Sequence, residues 1–189
     1  LENNNVKFEY WGSTDKFSKN NTLANRLINV DFNKAEKSNI ISTQFKLDRC
    51  LIPCDGFYFW KNFSKKEKTP YYFQYTKEKL IYCVGIRETF QDFSGNSFKY
   101  FYFLTDQSTE KWKKFTPKIP ILFDIRYLDI WFSKTTSINK ISSFINPIKF
   151  DDFNFYTVSP YFENNNRDDI SLINPSNNLN QYGNYSLFD

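Results

Sequence analysis

The sequence predicts an α+β fold, a single domain in which a mostly antiparallel sheet carries flanking helices. A length of 189 residues suits one domain with a substantial core. Short runs of β-favouring residues recur between polar loops, and residues 70–75 and 80–85 are spaced as the two strands of a hairpin. Stretches with helical spacing are few and short, such as residues 33–46 and 125–132.

The first quarter of the chain predicts two strands and a helix. Residues 6–11 alternate apolar and polar side chains, which favours a strand, and residues 12–21 read as a polar loop. Residues 26–30 are a second, short strand candidate. Residues 33–46 fit an amphipathic helix. Its apolar positions are Ala35, Ile40, Ile41 and Phe45.

Further strands follow the central part of the chain. Residues 61–69 read as a basic loop before the predicted hairpin, and residues 97–105 as a third strand after it. Residues 154–159 form the last predicted strand. The segment 164–189 is rich in Asn, Ser and Asp, so we expect its end to be a disordered tail.

Two helix starts are marked by capping residues. Ser108 or Thr109, with Glu110 behind it, can start a short helix that reaches Trp112. Asp124 can cap a helix over residues 125–132.

The composition is biased towards residues with AT-rich codons. The chain has 22 Phe and 13 Tyr, heavy use of Asn, Lys and Ile, and no Met or His. The aromatic content is therefore not a nucleic-acid signature by itself. The net charge of +4, from 25 basic and 21 acidic residues, permits contact with phosphates without demanding it.

The cysteines indicate reduced thiols. Cys50, Cys54 and Cys83 are three in number, so they cannot complete a disulfide framework, and no paired Cys-x-x-Cys spacing marks a metal site. We expect no cofactor and no metal. No run of about 18 apolar residues and no secretory segment is present, which predicts a soluble, intracellular monomer, cytoplasmic or nucleoid-associated, with no membrane partner.

One segment carries the strongest functional signal. Residues 47–60 read Leu-Asp-Arg-Cys-Leu-Ile-Pro-Cys-Asp-Gly-Phe-Tyr-Phe-Trp. This segment resembles the SOS response-associated peptidase (SRAP) family, whose pattern is Arg-Arg-Cys-Leu-Ile-Pro-Ala-Asp-Gly-Phe-Tyr-Glu-Trp. Other family blocks follow the same order along residues 6–175. These blocks are Trp11-Gly12, Thr69-Pro70-Tyr71-Tyr72, Pro120-Ile121-Leu122 and Val158-Ser159-Pro160.

The resemblance implies a fold and its extent. The family fold is α+β, with a strongly bent, mostly antiparallel, barrel-like sheet and flanking helices. We expect one SRAP-like domain over residues 1–175 that lacks the family's first strands, and a disordered tail over residues 176–189. Because the chain opens on Leu1 and not on Met, we expect a fragment, a processed product or a truncated form.

The resemblance also implies an activity in the DNA damage response. Family members recognise abasic sites in single-stranded DNA and link to them covalently. An N-terminal cysteine attacks the ring-opened aldehyde, and its amine and thiol close a thiazolidine. A family Asn and Glu orient the sugar and the amine, while a His helps open the sugar ring by proton transfer. The implied partner is therefore single-stranded DNA with an abasic site.

The family's site positions are only partly retained. Asn29 matches the family Asn, but the Arg of that motif is replaced by Asp31. Phe59 stands at the Glu position and Thr116 at the His position, so both catalytic groups are lost. The chain has no His at all, and none of its residues can be assigned to the nucleophile.

Three positions are candidates for DNA contact, each with a structural alternative. Trp11 can stack on an unpaired base or belong to the core. Asn29 can bond a sugar or phosphate oxygen, or satisfy backbone groups in a turn. Lys118, at a family Arg position, can contact a phosphate or stay solvated. The same two readings hold for basic residues 61–68 and for Lys111, Lys113 and Lys114.

Alternation along the central motif predicts two faces. Phe57 and Phe59 share one face and Tyr58 and Trp60 the other, so one pair packs inward and the other lines the former active-site face. We expect Phe59 to stand where the family binds DNA.

Two hypotheses follow for function. In the first, the protein retains single-stranded DNA binding, with slow crosslinking if a cysteine lies upstream of Leu1. In the second, it is a catalytically inactive homologue that acts as a binding module or has no retained activity. Whether it is an enzyme stays open, but an ordinary peptidase is excluded, because no Ser-His-Asp or Cys-His arrangement can be built without His.

Overall fold

Strands dominate the protein, as the alternating patterns predicted. The computed structural model describes residues 6–12, 28–35, 48–63, 68–77, 79–91, 94–163 and 167–177. The strands within these ranges are β1 (Tyr10–Trp11), β2 (Asn29–Asp31), β3 (Arg49–Cys54), β4 (Gly56–Asn62), β5 (Lys68–Tyr75), β6 (Ile81–Gln91), β7 (Ser97–Gln107), β8 (Lys118–Phe123), β9 (Ile145–Pro147) and β10 (Phe153–Thr157).

Helices are short. The α-helices are α1 (Phe32–Ala35), α2 (Leu128–Phe132) and α3 (Ile138–Ser142), and the 3₁₀ turns are Trp112–Lys114, Ile125–Tyr127, Phe150–Asp152, Pro160–Glu163 and Ile170–Ile173.

The chain divides into two compact units. The first takes the described parts of Leu1–Pro53, Tyr82–Gln107 and Pro120–Ile148. The second takes the described parts of Cys54–Ile81, Ser108–Ile119 and Lys149–Asp189.

The first unit is built around the long β6–β7 hairpin. The two strands pair antiparallel from Gly85 with Phe103 to Gln91 with Ser97. β1 and β2 both run parallel to β7, while β8 joins β6 and β9. The apolar face of the hairpin packs against the two C-terminal helices of this unit, because a half-buried sheet must cover that face. The buried cluster includes Tyr100, Tyr102, Leu104, Trp131 and Ile141.

A buried arginine ties the motif strand to a helix end. Arg49 of β3 is 6% exposed, and its guanidinium donates to the carbonyl oxygens of Trp131 (2.6 Å) and Ser133 (2.6 Å). These carbonyls lie at the C-terminal end of α2, which lacks intrahelical partners for its last oxygens. Burial lowers the pKa of Arg49. The arginine of the central motif therefore has a structural role in this unit.

The second unit is a three-stranded antiparallel sheet with β5 in the centre. β4 pairs with β5 at Phe59 with Tyr71, and β10 pairs with β5 at Phe155 with Phe73. Residues directly opposite each other point to the same face, so aromatic side chains from all three strands meet on one side. Trp112, which is fully buried, packs against this face.

The fold class predicted from the sequence is confirmed: the protein is α+β, with mostly antiparallel strand pairing and flanking helices. The strands predicted over residues 97–105 and 154–159, and the helix cap predicted at Asp124, are also confirmed. Asp124 accepts a hydrogen bond from the backbone N–H of Arg126 at 3.0 Å. The prediction of one domain over residues 1–175 with a tail at 176–189 stays a prediction.

The predicted hairpin between residues 70–75 and 80–85 is wrong. β5 has β4 on one edge and β10 on the other, so it offers no free edge to β6. β6 instead pairs with β3, β7 and β8. Local spacing favoured the hairpin, but strands distant in sequence occupied both edges of β5.

Other boundaries differ from the sequence predictions. The first strand covers Tyr10–Trp11 and not residues 6–11, and Val6 and Phe8 are 90% and 102% exposed. Lys61 and Lys68 lie in strands and not in a basic loop. The predicted helix begins at Phe32, one residue early, and is described only to Ala35. The predictions for residues 13–21, 26–27, 36–47, 64–67, 164–166 and 178–189 lie outside the described residues.

Candidate functional site

The predicted site residues belong to both units. Trp11 and Asn29 lie in the first unit, and Phe59, Thr116 and Lys118 lie in the second. Each group has its own local geometry.

Trp11 is held at the edge of β7 with much of its indole in solvent. Its side chain is 54% exposed. The indole Nε1 donates to the carbonyl oxygen of Ile28 at 3.0 Å, and the ring meets Phe103 edge-on at 5.3 Å. The backbone N–H of Gly12 also bonds Phe101. These contacts fix the ring while leaving an aromatic surface free for a planar ligand.

Asn29 lies beside Trp11. It is the first residue of β2, half-buried, and its register partner on β7 is Phe103, the residue that Trp11 contacts. The structure thus brings these two predicted residues together around Phe103. Since Val30 points into the core, alternation places Asn29 and Asp31 on the opposite face of the strand.

Asp31 puts a buried carboxylate where the family motif has Arg. It is 6% exposed and accepts a hydrogen bond from Gln107 Nε2 at 3.0 Å. A carboxylate cannot attract a phosphate as a guanidinium does. The group in the first unit therefore combines the exposed ring of Trp11 with the amide of Asn29. Asp31 gives it no cation where the family resemblance implies an arginine.

Phe59 is packed into the aromatic cluster of the second unit. Its ring lies 5.4 Å from Phe73 and 5.6 Å from Trp112, and both of these neighbours are fully buried. Phe57 lies on the same face at 6.0 Å. The predicted alternation is confirmed, and the Phe57 and Phe59 face is the one that meets Trp112, although all four side chains are half-buried. That Phe59 stands where the family binds DNA stays a prediction.

Thr116 uses its hydroxyl locally. The hydroxyl donates to the carbonyl oxygen of Lys118 at 2.8 Å and accepts from the Lys118 backbone N–H at 3.3 Å. Its own N–H bonds the carbonyl of Trp112 at 3.0 Å. The side chain at the family His position closes a turn before β8, and a hydroxyl is not a proton carrier near neutral pH.

Lys118 and Lys61 are two basic residues of the second unit with different surroundings. Lys118 is half-buried at the start of β8. Lys61 Nζ lies over the rings of Phe63 (4.7 Å) and Phe115 (5.8 Å), which are cation–π distances.

Two lysines of the predicted cluster after β7 form ion pairs with carboxylates. Lys111 pairs with Asp151 at 2.5 Å and Lys113 pairs with Glu110. Both pairs are exposed, so they are weak. They still compete with any phosphate for these two ammonium groups.

Two residues of the central motif, Asp55 and Gly56, stabilise the junction between β3 and β4. Gly56 is required by close approach: a Cβ there would meet Tyr72 Cζ and Oη at 2.6 Å and the carbonyl oxygen of Phe73. Tyr72 is 2% exposed, and burial together with the hydrogen bond to Asp55 raises the pKa of its hydroxyl. Asp55 and Gly56 of the motif are therefore explained by packing in this unit.

Sequence reasoning missed one charged cluster. Arg87 of β6 pairs with Asp48 and, at 3.5 Å, with Glu9, whose side chain is only 7% exposed. Cys50 lies near this cluster, and burial raises the pKa of its thiol to about 12. The three charged residues are far apart in sequence, so no local spacing signals them.

Two further properties concern the described residues alone. Within those ranges no group of three His, Cys, Asp or Glu side chains is placed to hold a metal ion. None of the helices found there combines the length and apolar character needed to cross a bilayer.

The α+β fold places an exposed Trp beside an Asn in the first unit, and a Phe and a Thr with local packing and hydrogen bonds in the second. The model of the family described as SOS response associated peptidase (SRAP) matches residues 2–165. The chain belongs to the SRAP family.

Curated relatives are similar over nearly the whole chain. Abasic site processing protein YoaM of Bacillus subtilis is 22% identical over 178 residues, covering 94% of this chain and 78% of that protein. Abasic site processing protein YoqW of the same organism is 24% identical, covering 93% of this chain and 75% of that protein.

Solved structures share the fold. A protein from Bacteroides thetaiotaomicron superposes with a TM-score of 0.74 at 16% identity, covering 88% of this chain and 75% of that chain. A protein from Bordetella bronchiseptica gives a TM-score of 0.63 at 14% identity, covering 79% and 75%. At these identities the likeness concerns the fold alone.

Proposed function

We propose that this SRAP-family protein binds single-stranded DNA at abasic sites and has lost the acid–base groups that assist covalent linkage. Support comes from the family, whose curated relatives are named abasic site processing proteins. The observation that carries the binding half of the proposal is the indole of Trp11, 54% exposed and fixed beside Asn29.

Binding rests on stacking and a hydrogen bond. A fixed, exposed indole offers a face to an unpaired base, and such stacking contributes about 1–3 kcal/mol per base. Asn29 can donate its amide to a sugar or phosphate oxygen of the same strand. A mild net charge of +4 adds a non-specific attraction for the backbone.

The loss of assisted chemistry rests on Phe59 and Thr116. A phenyl ring packed on Phe73 and Trp112 neither holds a proton nor orients an amine. The Thr116 hydroxyl is bonded to the Lys118 backbone. General acid–base assistance contributes about 10²- to 10⁴-fold to a rate, so the proposal expects no detectable covalent product on the timescale of a binding experiment.

The test pairs an equilibrium measurement with a denaturing gel. Fluorescence anisotropy measures binding of the chain to a single-stranded oligonucleotide carrying one abasic site, and the gel then reports covalent product. Trp11→Ala is expected to weaken binding about tenfold. Tyr161→Ala is the matched control, because Tyr161 is similarly exposed, at 63%, and lies in the second unit.

Each outcome separates the hypotheses. Binding that Trp11→Ala weakens and Tyr161→Ala does not, with no covalent band, supports a DNA-binding protein without linkage. A covalent band overturns the loss of chemistry. No binding by the unaltered chain overturns the proposal and leaves a homologue without retained DNA function.

A further inference from the structure

A groove of about 580 Å³ lies in the first unit between residues 6–10 and residues 97–99. It forms where β1 and β7 separate. Their parallel pairing covers Tyr10 with Tyr100 and Trp11 with Phe101, and residues 6–9 have no regular structure. The groove volume falls within the range of ordinary ligand sites.

Aromatic rings line the groove. Phe8 is 102% exposed and Tyr10 is 57% exposed. The Tyr10 ring lies 6.4 Å from Phe98 and 5.6 Å from Tyr100, so it is fixed from one side only. Large exposed rings at one place are unusual on a folded surface and mark contact with a ligand.

The charges around the groove favour an anion. Lys7 and Lys99 both line it, and both are exposed. The carboxylate in the lining belongs to Glu9, which is 7% exposed in its side chain and directed to Arg87 at 3.5 Å. Arg87 is shared between Glu9 and Asp48, so Glu9 counts as one negative charge in the lining, and the two lysines outnumber it.

We propose that this groove holds one or two nucleotides of single-stranded DNA flanking the site at Trp11, with bases against Phe8 and Tyr10 and phosphates near Lys7 and Lys99. Rings that stack bases beside cations that follow the backbone are the general means of binding single strands. The inference rests on the proposed function. Tyr10 and Trp11 are neighbours in the edge strand β1 with their rings on opposite faces, so a DNA strand that passes around this edge reaches both rings.

The test measures the salt dependence of binding to an undamaged oligothymidine by fluorescence anisotropy. The variant Lys7→Ala/Lys99→Ala is compared with Lys134→Ala/Lys140→Ala, which removes the same charge from exposed positions elsewhere in the first unit. We expect the groove variant to bind about fivefold more weakly, with the slope of the log of the binding constant against log salt smaller by about 1.4. The control variant keeps the unaltered slope.

A photocrosslink locates the strand directly. Oligothymidine carrying 5-iododeoxyuridine is irradiated with the protein, and the linked peptide is identified by mass spectrometry. We expect linkage within residues 6–10, and several-fold less of it with Phe8→Ala, whose fully exposed ring has no packing to lose.

The outcomes distinguish the two proposals. Equal slopes for the two double variants, with crosslinks outside residues 6–10 and 97–99, overturn the groove while DNA binding stands. No binding by the unaltered chain overturns both proposals. Binding of a labelled acidic peptide that Lys7→Ala/Lys99→Ala weakens, with oligothymidine binding unchanged in the same variant, assigns the groove to a peptide and also overturns the inference.

Discussion

The ring of Phe59 lies 5.6 Å from the indole of Trp112, centroid to centroid, at an interplanar angle of 63°. Trp112 is fully buried, and Phe73 lies 5.4 Å from Phe59 and 4.9 Å from Trp112, so the three rings contact one another. The Phe59 ring is thus part of an aromatic cluster, and we expect a carboxylate at this position to be costly.

Reversing the substitution is expected to destabilise the protein. Phe59→Glu places a carboxylate against Phe73 and Trp112, and losing a packed ring in such a site costs about 3 kcal/mol. The measurement is the urea midpoint. Phe63→Glu is the control, because Phe63 is 52% exposed and should change stability by less than about 1 kcal/mol. Equal midpoints for the two variants would contradict the packing of Phe59.

The motif glycine is expected to tolerate no side chain. Gly56→Ala drives a Cβ into Tyr72, with contacts of 2.6 Å to Cζ and Oη, and overpacking of this kind costs about 1–3 kcal/mol. Thermal unfolding measures the loss. Gly95→Asn is the control, since Gly95 has open space around it and Asn accepts its positive φ of 82°. A Gly56→Ala protein as stable as the control would show that β4 and β5 lie further apart than described.

A buried hydroxyl is expected to be replaceable with a gain in stability. Thr69 is 0% exposed, and its Oγ1 has no hydrogen-bond partner among the described residues. Thr69→Val removes this hydroxyl at nearly constant side-chain volume and should raise the free energy of unfolding by about 1 kcal/mol.

Thr76→Val is the control for this change, because the Thr76 hydroxyl donates to the carbonyl of Asp152 at 2.9 Å. We expect it to be neutral or slightly destabilising. Chemical denaturation of both variants gives the comparison, and a destabilised Thr69→Val protein would mean that the hydroxyl has a partner.

The buried thiol predicts a loss of stability in mild alkali. Burial raises the pKa of Cys50 from 9.0 to about 12. Above pH 9 the unfolded chain therefore releases a proton that the folded protein retains until about pH 12, so stability falls as pH rises through this window. Between pH 8 and pH 10 the loss from this group is about 1 kcal/mol.

Cys50→Ala isolates this effect. The variant loses some packing at every pH, but its free energy of unfolding should fall less between the two pH values than that of the unaltered protein. The buried Tyr72 and Tyr102, whose pKa values are also raised by burial, are present in both proteins and act at higher pH. Identical pH dependence would show that Cys50 ionises freely in the folded state.

Alternation along the sequence separated the two faces of β4 correctly, but strand partners were harder to predict. The assignment of Asn29, Phe59 and Thr116 as site positions stays a prediction. Alternation could not decide which face packs inward, because that depends on Trp112, which is distant in sequence. The hairpin prediction failed for the same reason: β10 and β4 reach β5 from far along the chain.

The ion pair between Arg87 and Asp48 was equally impossible to predict from the sequence. Arg87 lies 39 residues from Asp48, and no spacing rule connects strands across such a distance. The short extent of β1 was also unforeseeable from its pattern, since the alternation over residues 6–11 is that of a paired strand, whereas only its last two residues meet β7.

The most direct test of the central claim is one oligonucleotide, carrying a single abasic site, titrated with the chain and run on native and denaturing gels. We predict a shift on the native gel and none on the denaturing gel. A band that survives denaturation would contradict the loss of covalent chemistry at Phe59 and Thr116, and the absence of any native shift would contradict DNA binding.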